Sequence, residues 1–347
     1  MKRLLIFLIG VLVTPVLALL VFLWWASGPG IGPDRGGEPA YAQPAVPVPK
    51  TAPETLKVLT FNVAYGRGPK DDKGDLRSES EVRGFLDTLA AVIKDSGADI
   101  AALQEVDFNA DRTHRIDQAS MLSHKSGLQH IACVTTWRNN YVPYPYWPPS
   151  QHYARMHSGQ CVLSRFPLEN NLRTVLPQPA ANPFVYNWFY LHRALQRVDV
   201  RVSEQRTVRV FNVHLEAYDT PNKMDQARLL VEQVGSEGQP LTLVLGDFNC
   251  VPPEATIRRA FADEPETDMS LDQTIAIART MPGMVDVLEQ KKIAERELWT
   301  FPAEMPNRRL DYLFVSADSF EVREARVARE AGPISDHLPV FAELGWR

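Results

Sequence analysis

Polar side chains interrupt the apolar strands of this sequence near their ends, in six separate segments. The clearest case is LTLVLGDFNC, 241–250, where an apolar run reaches Gly246 and continues with Asp247 and Asn249. Side chains two positions apart on a strand point to the same face. Their burial requires a metal, a charge or a hydrogen-bonding partner. The other segments carry the same residue types: Asn62, Glu105, His214 with Asn212 and Glu216, Asp311, and Asp336 with His337.

Each of these residues also has a purely structural explanation. Asp247 and Asn249 could form an Asx turn, in which both cap a loop through backbone hydrogen bonds. Asn62 could cap a loop, Glu105 could pair with an arginine, and His214 could be a hydrogen-bonded core imidazole. For any one residue alone the structural explanation is the simpler one. The recurrence across six segments favours a shared functional site.

The residue types of this set fit one chemistry. Carboxylates and amides are hard oxygen ligands, which select Mg²⁺, Mn²⁺ or Ca²⁺ over zinc. Histidines next to acids can transfer protons, and a divalent ion with such imidazoles suits the attack of water on a phosphate ester. The motifs of other chemistries are missing from the sequence: it has no Walker loop, dinucleotide-binding glycine motif, HExxH helix or GxSxG elbow.

Alternating strand and helix patterns surround these segments. Strands are predicted at 56–63 and 98–106, and a helix with a capping box lies between them at 78–97. A second helix is predicted at 221–235. The segments RVDVRV and RTVRVFNV alternate and are separated by SEQ, which predicts an antiparallel hairpin. This mixture, without an internal repeat, predicts one α/β domain in which helices cover sheets.

The ordered segments TFNVAYG, LQEVD, NVHLEA, GDFN, RRLDYLFVS and SDHLPV resemble those of the endonuclease/exonuclease/phosphatase superfamily, which shares the deoxyribonuclease I-like fold. The resemblance covers about residues 56–346, and GDFN followed by SDHLPV is its most specific part. It implies an α/β (α+β) fold, a four-layer sandwich of two mixed β-sheets flanked by helices, with the site at one edge of the sheets. It also implies divalent-metal-dependent hydrolysis of phosphate esters.

The resemblance implies catalytic roles for five residues. Asp247 would orient and deprotonate the attacking water, and Asn249 would hold that water or a phosphate oxygen. His337, oriented by Asp311, would contact the phosphate or protonate the leaving group. His214 would bind the non-bridging phosphate oxygens. The acid that orients this histidine in some relatives has no clear counterpart in this sequence.

The resemblance also implies a metal site. Glu105 resembles the main metal carboxylate of the family, and Asn62 and Asp336 would complete the coordination directly or through water. The expected cofactor is Mg²⁺, with Mn²⁺ as a substitute. Whether one or two ions bind is left open by the sequence.

The amino-terminal segment differs from the rest of the chain. Leu4–Trp25 contains 22 residues without a charge, enough to cross a bilayer, and Lys2 and Arg3 precede it. The positive-inside rule then predicts a signal-anchor transmembrane helix whose amino terminus is cytoplasmic. Cleavage of a signal peptide is the alternative, because AYA at 40–42 resembles a cleavage site. Either way, the domain is expected outside the cytoplasm, membrane-anchored or secreted.

Composition divides the chain into three parts. The predicted organisation is an anchor at 1–25, a Pro/Gly/Ala-rich tether at 26–55 and one catalytic domain at 56–347. The domain contains three cysteines, Cys133, Cys161 and Cys250, each within an apolar run. This odd count in a large domain predicts buried free thiols rather than a disulfide framework.

The substrate class is constrained by charge and by one aromatic segment. The formal net charge is −5, and −7 without Lys2 and Arg3, which argues mildly against strong nonspecific DNA binding. Segment 137–158 contains six aromatic residues and four prolines. Its residues Trp137, Tyr144 and Trp147 are candidates for stacking on a base, a sugar or a lipid. The alternative is a long connection packed over a sheet edge.

The favoured function is hydrolysis of a phosphodiester in an envelope lipid or a small molecule. An extracytoplasmic endonuclease or a phosphomonoesterase is the alternative, and a non-catalytic binding module of the same fold is less favoured. Nucleic acid is therefore a possible but not favoured partner. The membrane is the expected partner of the amino-terminal helix, and no obligate protein partner is inferred.

Overall fold

The computed structural model describes residues 2–32, 35–36, 38–69, 76–237 and 241–347, so parts of the predicted anchor and tether, residues 1, 33–34 and 37, lie outside the described residues. The helices are α1 (Lys2–Ser27), α2 (Glu79–Asp95), α3 (Gln118–Ser126), α4 (Phe184–Asn187), α5 (Thr220–Glu237), α6 (Thr274–Ala278) and α7 (Val287–Gln290). The strands are β1 (Arg35–Gly36), β2 (Thr55–Asn62), β3 (Ile100–Asp107), β4 (His130–Val142), β5 (Ala154–Ser164), β6 (Leu168–Val175), β7 (Ala194–Ser203), β8 (Arg206–His214), β9 (Thr242–Asp247), β10 (Met284–Asp286), β11 (Asp311–Ser316), β12 (Phe320–Val327) and β13 (Val340–Trp346).

The described strands form two mixed sheets. The first has the order β1-β6-β7-β8-β9-β11-β10, and the second has the order β12-β13-β2-β3-β5-β4. Each sheet contains one parallel pair, β8 with β9 and β2 with β3, among antiparallel neighbours. The predicted hairpin is confirmed as β7–β8, with Ser203 opposite Arg206 at its turn.

Three hydrophobic clusters separate four layers. The inner faces of both sheets meet in one cluster, where Val58 and Ile100 of the second sheet join Val210 and Leu245 of the first. The outer face of the second sheet packs against apolar residues of α2 and α3. The outer face of the first sheet packs against α5 and α6, which contribute Leu230 and Ile275 to this cluster. The predicted sandwich of two mixed sheets flanked by helices is therefore confirmed.

The helix α2 shows why these layers form. Ser78 accepts a hydrogen bond from the backbone N–H of Glu81, and the Glu81 side chain accepts from the Ser78 backbone N–H, so the predicted capping box is present. The helix buries Val82, Leu86 and Leu89 on one side. Spacings of three and four residues place these side chains on one helix face, which covers the sheet.

The amino-terminal helix α1 packs against the edge strand β4. The rings of Phe22 and Tyr141 lie 5.9 Å apart, and the side-chain amide of Asn140 donates to the Trp25 carbonyl (2.8 Å). Side chains of α1 are described from Val13 onward. Within the described part of the chain, no helix combines the length and the apolar character needed to span a membrane. The predicted transmembrane helix is thus not shown.

The predicted tether makes contacts with the domain. The side-chain amide of Gln43 donates to the carbonyl of Ile131 (2.7 Å), and the hydroxyl of Tyr41 donates to Asp117 (3.0 Å). The short strand β1 pairs with β6. These contacts fix described parts of the Pro/Gly/Ala-rich segment on the surface of the sandwich.

The prediction of three free thiols was wrong for two cysteines. Cys133 of β4 lies directly opposite Cys161 of β5, with the Cα atoms 4.1 Å apart, and the two form a disulfide. Cys250 is a buried free thiol, as predicted. The pairing depends on the register of two strands joined by a long connection, and cysteine spacing alone does not specify this register.

Candidate active site

One edge of the sandwich collects the polar strand ends. The parallel strands β8 and β9 end at His214 and Asp247, which are paired in register, and β2 of the second sheet ends at Asn62. The antiparallel strand β11 begins at this edge, so Asp311 pairs with Asp247. The carboxyl ends of parallel strands and the amino ends of their antiparallel neighbours coincide, which explains why residues distant in sequence meet here.

A close approach of two backbones positions the end of β9. Gly246 has φ +149°, and a Cβ at this position would lie 1.9 Å from the carbonyl oxygen of Val213 on β8. Any other residue would push the two strands apart. The glycine that precedes Asp247 in the sequence is therefore required for the register that places Asp247 beside His214.

Asp247 is the buried centre of this edge. Its Oδ2 accepts a hydrogen bond from the Asn62 amide (3.1 Å) and lies 3.5 Å from His214 Nε2 and 3.7 Å from His337 Nε2. Its Oδ1 accepts from the backbone N–H of Asn249 (2.8 Å). One carboxylate oxygen therefore caps the turn, and the other faces two histidines.

His337 and Asp311 form a buried pair. His337 Nδ1 lies 2.8 Å from Asp311 Oδ2. Burial alone would lower the pKa of His337, but the carboxylates of Asp311 and Asp247 raise this pKa well above its usual value. The imidazole is thus oriented by one carboxylate and directs Nε2 toward the other. This geometry suits a group that donates a proton near Asp247.

Glu105 lies on an irregular part of β3. The ladder with β5 shifts register between Leu103 and Val106, and Glu105 has φ +58°. Bulges of this kind re-aim a side chain next to functional sites, and a positive φ at a non-glycine residue costs about 1–3 kcal/mol. Burial and the charge of Asp336 raise the pKa of Glu105 to about 7. The carboxyl groups of Glu105 and Asp336 therefore repel each other in the metal-free protein.

The donor set of this edge fits a divalent cation. Repulsion between Glu105 and Asp336 is what a bound cation would relieve, and carboxylate oxygens are the donors that Mg²⁺ and Mn²⁺ prefer. Ligand atoms of Asp247, Asp311 and His337 also lie within 4.8 Å of one another. In that second group, however, His337 Nδ1 already contacts Asp311 (2.8 Å). Glu105 and Asp336 stay the ligands that the family resemblance implies.

Two predicted amides have partners of their own. The Asn62 amide donates to Asp247, and its carbonyl oxygen accepts from the backbone N–H of Ala64 (3.1 Å). The Asn249 amide donates to the carbonyl of Leu215 (3.0 Å), and Asn249 has φ +50°. Both amides lie at the predicted edge, where they stabilise the loops around Asp247.

The sequence analysis did not identify three residues on the His214 side of the site, Arg193, Tyr190 and Tyr65. Arg193 Nη1 lies 2.5 Å from His214 Nε2, and Arg193 Nε lies 3.8 Å from Glu216 Oε2. The Tyr190 hydroxyl donates to Glu216 (2.7 Å), and Tyr65 lines a small cavity with Glu105 and His214. Burial, Arg193 and His337 hold the pKa of His214 well below its usual value. The sequence contained no direct signal for Arg193, because the ladder that pairs Ala194 with His214 continues past the two segments of the predicted hairpin.

The polar residue two positions before His214 has a structural role. The Asn212 amide donates to the carbonyls of Leu103 and Cys161 (3.1 Å each), and its oxygen accepts from Gln104 (2.7 Å). Asn212 belongs to the first sheet, and these three of its partners belong to the second. This fully buried residue therefore joins the two sheets beneath the site.

The three aromatic candidates do not share one surface. Trp137 is buried, donates its indole N–H to the carbonyl of Phe189 (2.9 Å) and packs against Tyr153. Tyr144 contacts Tyr153 in the same small cluster. Trp147 is 80% exposed and lies in the middle of the connection between β4 and β5. Their role in binding substrate stays a prediction.

Comparison with known proteins adds to this geometry. The model of the Endonuclease/Exonuclease/phosphatase family matches residues 59–337. The uncharacterized protein YbhP of Escherichia coli strain K12 is 26% identical over 295 residues, which cover 84% of this chain and 96% of YbhP.

Solved structures share the fold. An endonuclease/exonuclease/phosphatase from Beutenbergia cavernae DSM 12333 has a TM-score of 0.62 at 21% identity, covering 85% of this chain and 72% of its own. The human nocturnin catalytic domain with a bound sulfate anion has a TM-score of 0.54 at 18% identity, covering 85% and 95%. A mannosyl-6-phosphatase from Bacteroides thetaiotaomicron VPI-5482 has a TM-score of 0.53 at 18% identity, covering 83% and 99%.

Proposed function

The chain belongs to the endonuclease/exonuclease/phosphatase family, and from this premise we propose that it hydrolyses phosphate esters with a bound divalent cation, Mg²⁺ or in its place Mn²⁺. Members of this family are hydrolases of phosphoester bonds and generally use divalent metals. The observation that supports the proposal best is the position of Asp247, whose Oδ2 lies within 3.7 Å of both His214 and His337. A carboxylate beside the imidazole of His337, whose pKa is raised, suits proton transfer during hydrolysis.

Each residue of the site would have its own role in the reaction. Asp247 accepts the proton of a water molecule and directs it at phosphorus, while Asn62 holds the Asp247 carboxylate in place. His337, kept in orientation by Asp311, donates a proton to the leaving oxygen. A divalent cation held by Glu105 and Asp336 would polarise the phosphate and offset its developing charge.

The substrate we favour is a phosphodiester of an envelope lipid or of a small molecule. The net charge of −5 supports this choice over a nucleic acid. Exposed aromatic side chains, Tyr146, Trp147 and Tyr218, offer apolar contact surface for a lipid or a sugar. An extracytoplasmic endonuclease is the alternative, as is a phosphomonoesterase, the activity named for one structure of the same fold. A non-catalytic binding module is less favoured, because every matched polar position is intact.

We further propose that the domain works outside the cytoplasm. The disulfide between Cys133 and Cys161 supports this location, because such bonds persist in oxidising compartments and are rare in the cytosol. The apolar segment Leu4–Trp25 would direct export, as a membrane anchor or as a cleaved signal. Protease added outside the cytoplasmic membrane of intact cells is expected to digest the domain. Protection of the domain until the membrane is lysed would contradict the proposal.

A substrate panel tests the proposed activity. The full-length protein with Mg²⁺ is assayed on bis(p-nitrophenyl) phosphate, p-nitrophenyl phosphate, sphingomyelin, a phosphoinositide and plasmid DNA. Turnover is expected for the soluble phosphodiester and for at least one lipid, above that of the monoester and the plasmid. An Asp336→Asn variant purified in the same way controls for contaminating hydrolases. Equal turnover by this variant, or no turnover of any ester by folded protein, would contradict the proposal.

A further inference from the structure

A buried arginine lies beside the proposed catalytic residues. Arg193 directly precedes β7, and its side chain is 6% exposed. It lines a small cavity together with Tyr65, Glu105 and His214. A buried cation is costly unless it is paired and hydrogen-bonded. The groups that contact this guanidinium therefore indicate the functional role of Arg193.

The carboxylate nearest to Arg193 is fixed by other groups. Glu216 Oε1 accepts from the Tyr190 hydroxyl (2.7 Å) and from the backbone N–H of Tyr218 (3.1 Å). Glu216 Oε2 lies 3.8 Å from Arg193 Nε, beyond hydrogen-bond distance. Among the described residues, both of these buried atoms are without a hydrogen-bond partner. Glu216 therefore balances the charge of Arg193 but leaves its donors incompletely used.

The contact with His214 has only one possible direction. Arg193 Nη1 lies 2.5 Å from His214 Nε2. A guanidinium has donors and no acceptor, so the arginine donates and His214 Nε2 accepts. A nitrogen that accepts this bond cannot at the same time donate to a phosphate oxygen. The positive charge on this side of the cavity consequently belongs to Arg193.

We propose that Arg193 binds the non-bridging oxygens of the substrate phosphate, and that His214 is the acceptor that orients its guanidinium. This inference rests on the proposed hydrolysis of phosphate esters. The planar fork of arginine matches the geometry of phosphate oxygens. Arg193 lines the same small cavity as Glu105, the carboxylate that would hold the cation, so an anion bound to Arg193 would lie on the side of the proposed cation. This assignment replaces the phosphate-binding role that the family resemblance implies for His214.

Binding of inorganic phosphate tests the inference without requiring turnover. Calorimetry of the full-length protein with Mg²⁺ compares the wild type with Arg193→Gln and with the double variant Arg193→Gln/Glu216→Gln. The double variant removes both charges of the buried pair, so it retains a balanced interior if the single variant does not fold. Arg201→Gln is the matched control, because Arg201 lies at the far end of β7 and pairs with Glu169 (3.8 Å).

Loss of a charge-assisted hydrogen bond should weaken phosphate binding about 10- to 100-fold in both Arg193 variants. KM for bis(p-nitrophenyl) phosphate should rise as well, and Arg201→Gln should change neither quantity. Unchanged phosphate affinity and KM in a folded Arg193 variant would overturn this inference and leave the proposed hydrolysis intact. A wild-type protein that neither binds phosphate nor hydrolyses the ester would overturn both.

Discussion

At the scale of single residues, the site is a set of buried charges that oppose one another. Asp247 has its pKa raised to about 6, mainly by burial, and Glu105 has its pKa raised to about 7 by burial and by Asp336. Selection for a stable core alone would replace such buried ionisable side chains with apolar ones. Their concentration at one edge is typical of residues retained for catalysis or metal binding.

The substitution Asp247→Asn tests the central residue. It keeps the size of the side chain and removes its charge, so kcat should fall about 10²- to 10⁴-fold. KM should change little, because the lost interaction belongs to the transition state. Folding should survive the substitution, since burial disfavours the ionised carboxylate in the metal-free protein.

The same variant distinguishes the catalytic role from the structural one. Asn caps turns about as well as Asp, and the residue already receives the backbone N–H of Asn249. A residue that acts only as a turn cap would therefore show near-normal turnover and stability after substitution. Near-normal turnover in Asp247→Asn would remove Asp247 from the mechanism.

At the scale of secondary structure, the sequence predicted the elements whose pattern is local. The capping box at Ser78, the hairpin β7–β8 and the polar ends of β2 and β9 all follow from residue spacing, and the structure contains each of them. The meeting of these ends at one edge came from the family resemblance. The structure explains it by strand direction, since β8 and β9 run parallel and β11 runs against them.

What the sequence did not predict depends on the register of paired strands or on local backbone geometry. Arg193 precedes a strand, where an arginine has no special meaning, and only the alignment of β7 with β8 brings it to His214. Cys133 and Cys161 are similar: each lies in an apolar run, and only the pairing of β4 with β5 places them opposite each other. The positive φ of Glu105 likewise has no signal in residue type.

The disulfide between β4 and β5 gives a prediction for these elements. The loop between Cys133 and Cys161 spans 28 residues in sequence, so reduction should lower the free energy of unfolding by about 2–4 kcal/mol. Urea unfolding of the full-length protein with and without a reductant measures this difference. A Cys133→Ser/Cys161→Ser variant should show the lower stability in both conditions. Equal stability of the wild type with and without reductant would contradict the predicted contribution.

At the scale of the whole molecule, two packed sheets complete one site. The second sheet contributes Asn62 and Glu105, and the first contributes His214 and Asp247. Asn212 joins the sheets beneath them through hydrogen bonds to the carbonyls of β3 and β5. Sheet packing therefore sets the distances on which the chemistry depends.

The most direct test of the proposed function is metal-dependent turnover of bis(p-nitrophenyl) phosphate by the full-length protein. Because Glu105 and Asp336 are assigned as hard oxygen ligands, exhaustive chelation should abolish turnover, and Mg²⁺ or Mn²⁺ should restore it. Zinc should be a poor substitute. A Glu105→Gln variant should require more Mg²⁺ for half-maximal turnover than the wild type does. Turnover that is unchanged after exhaustive chelation would contradict a metal-dependent site at this edge of the sandwich.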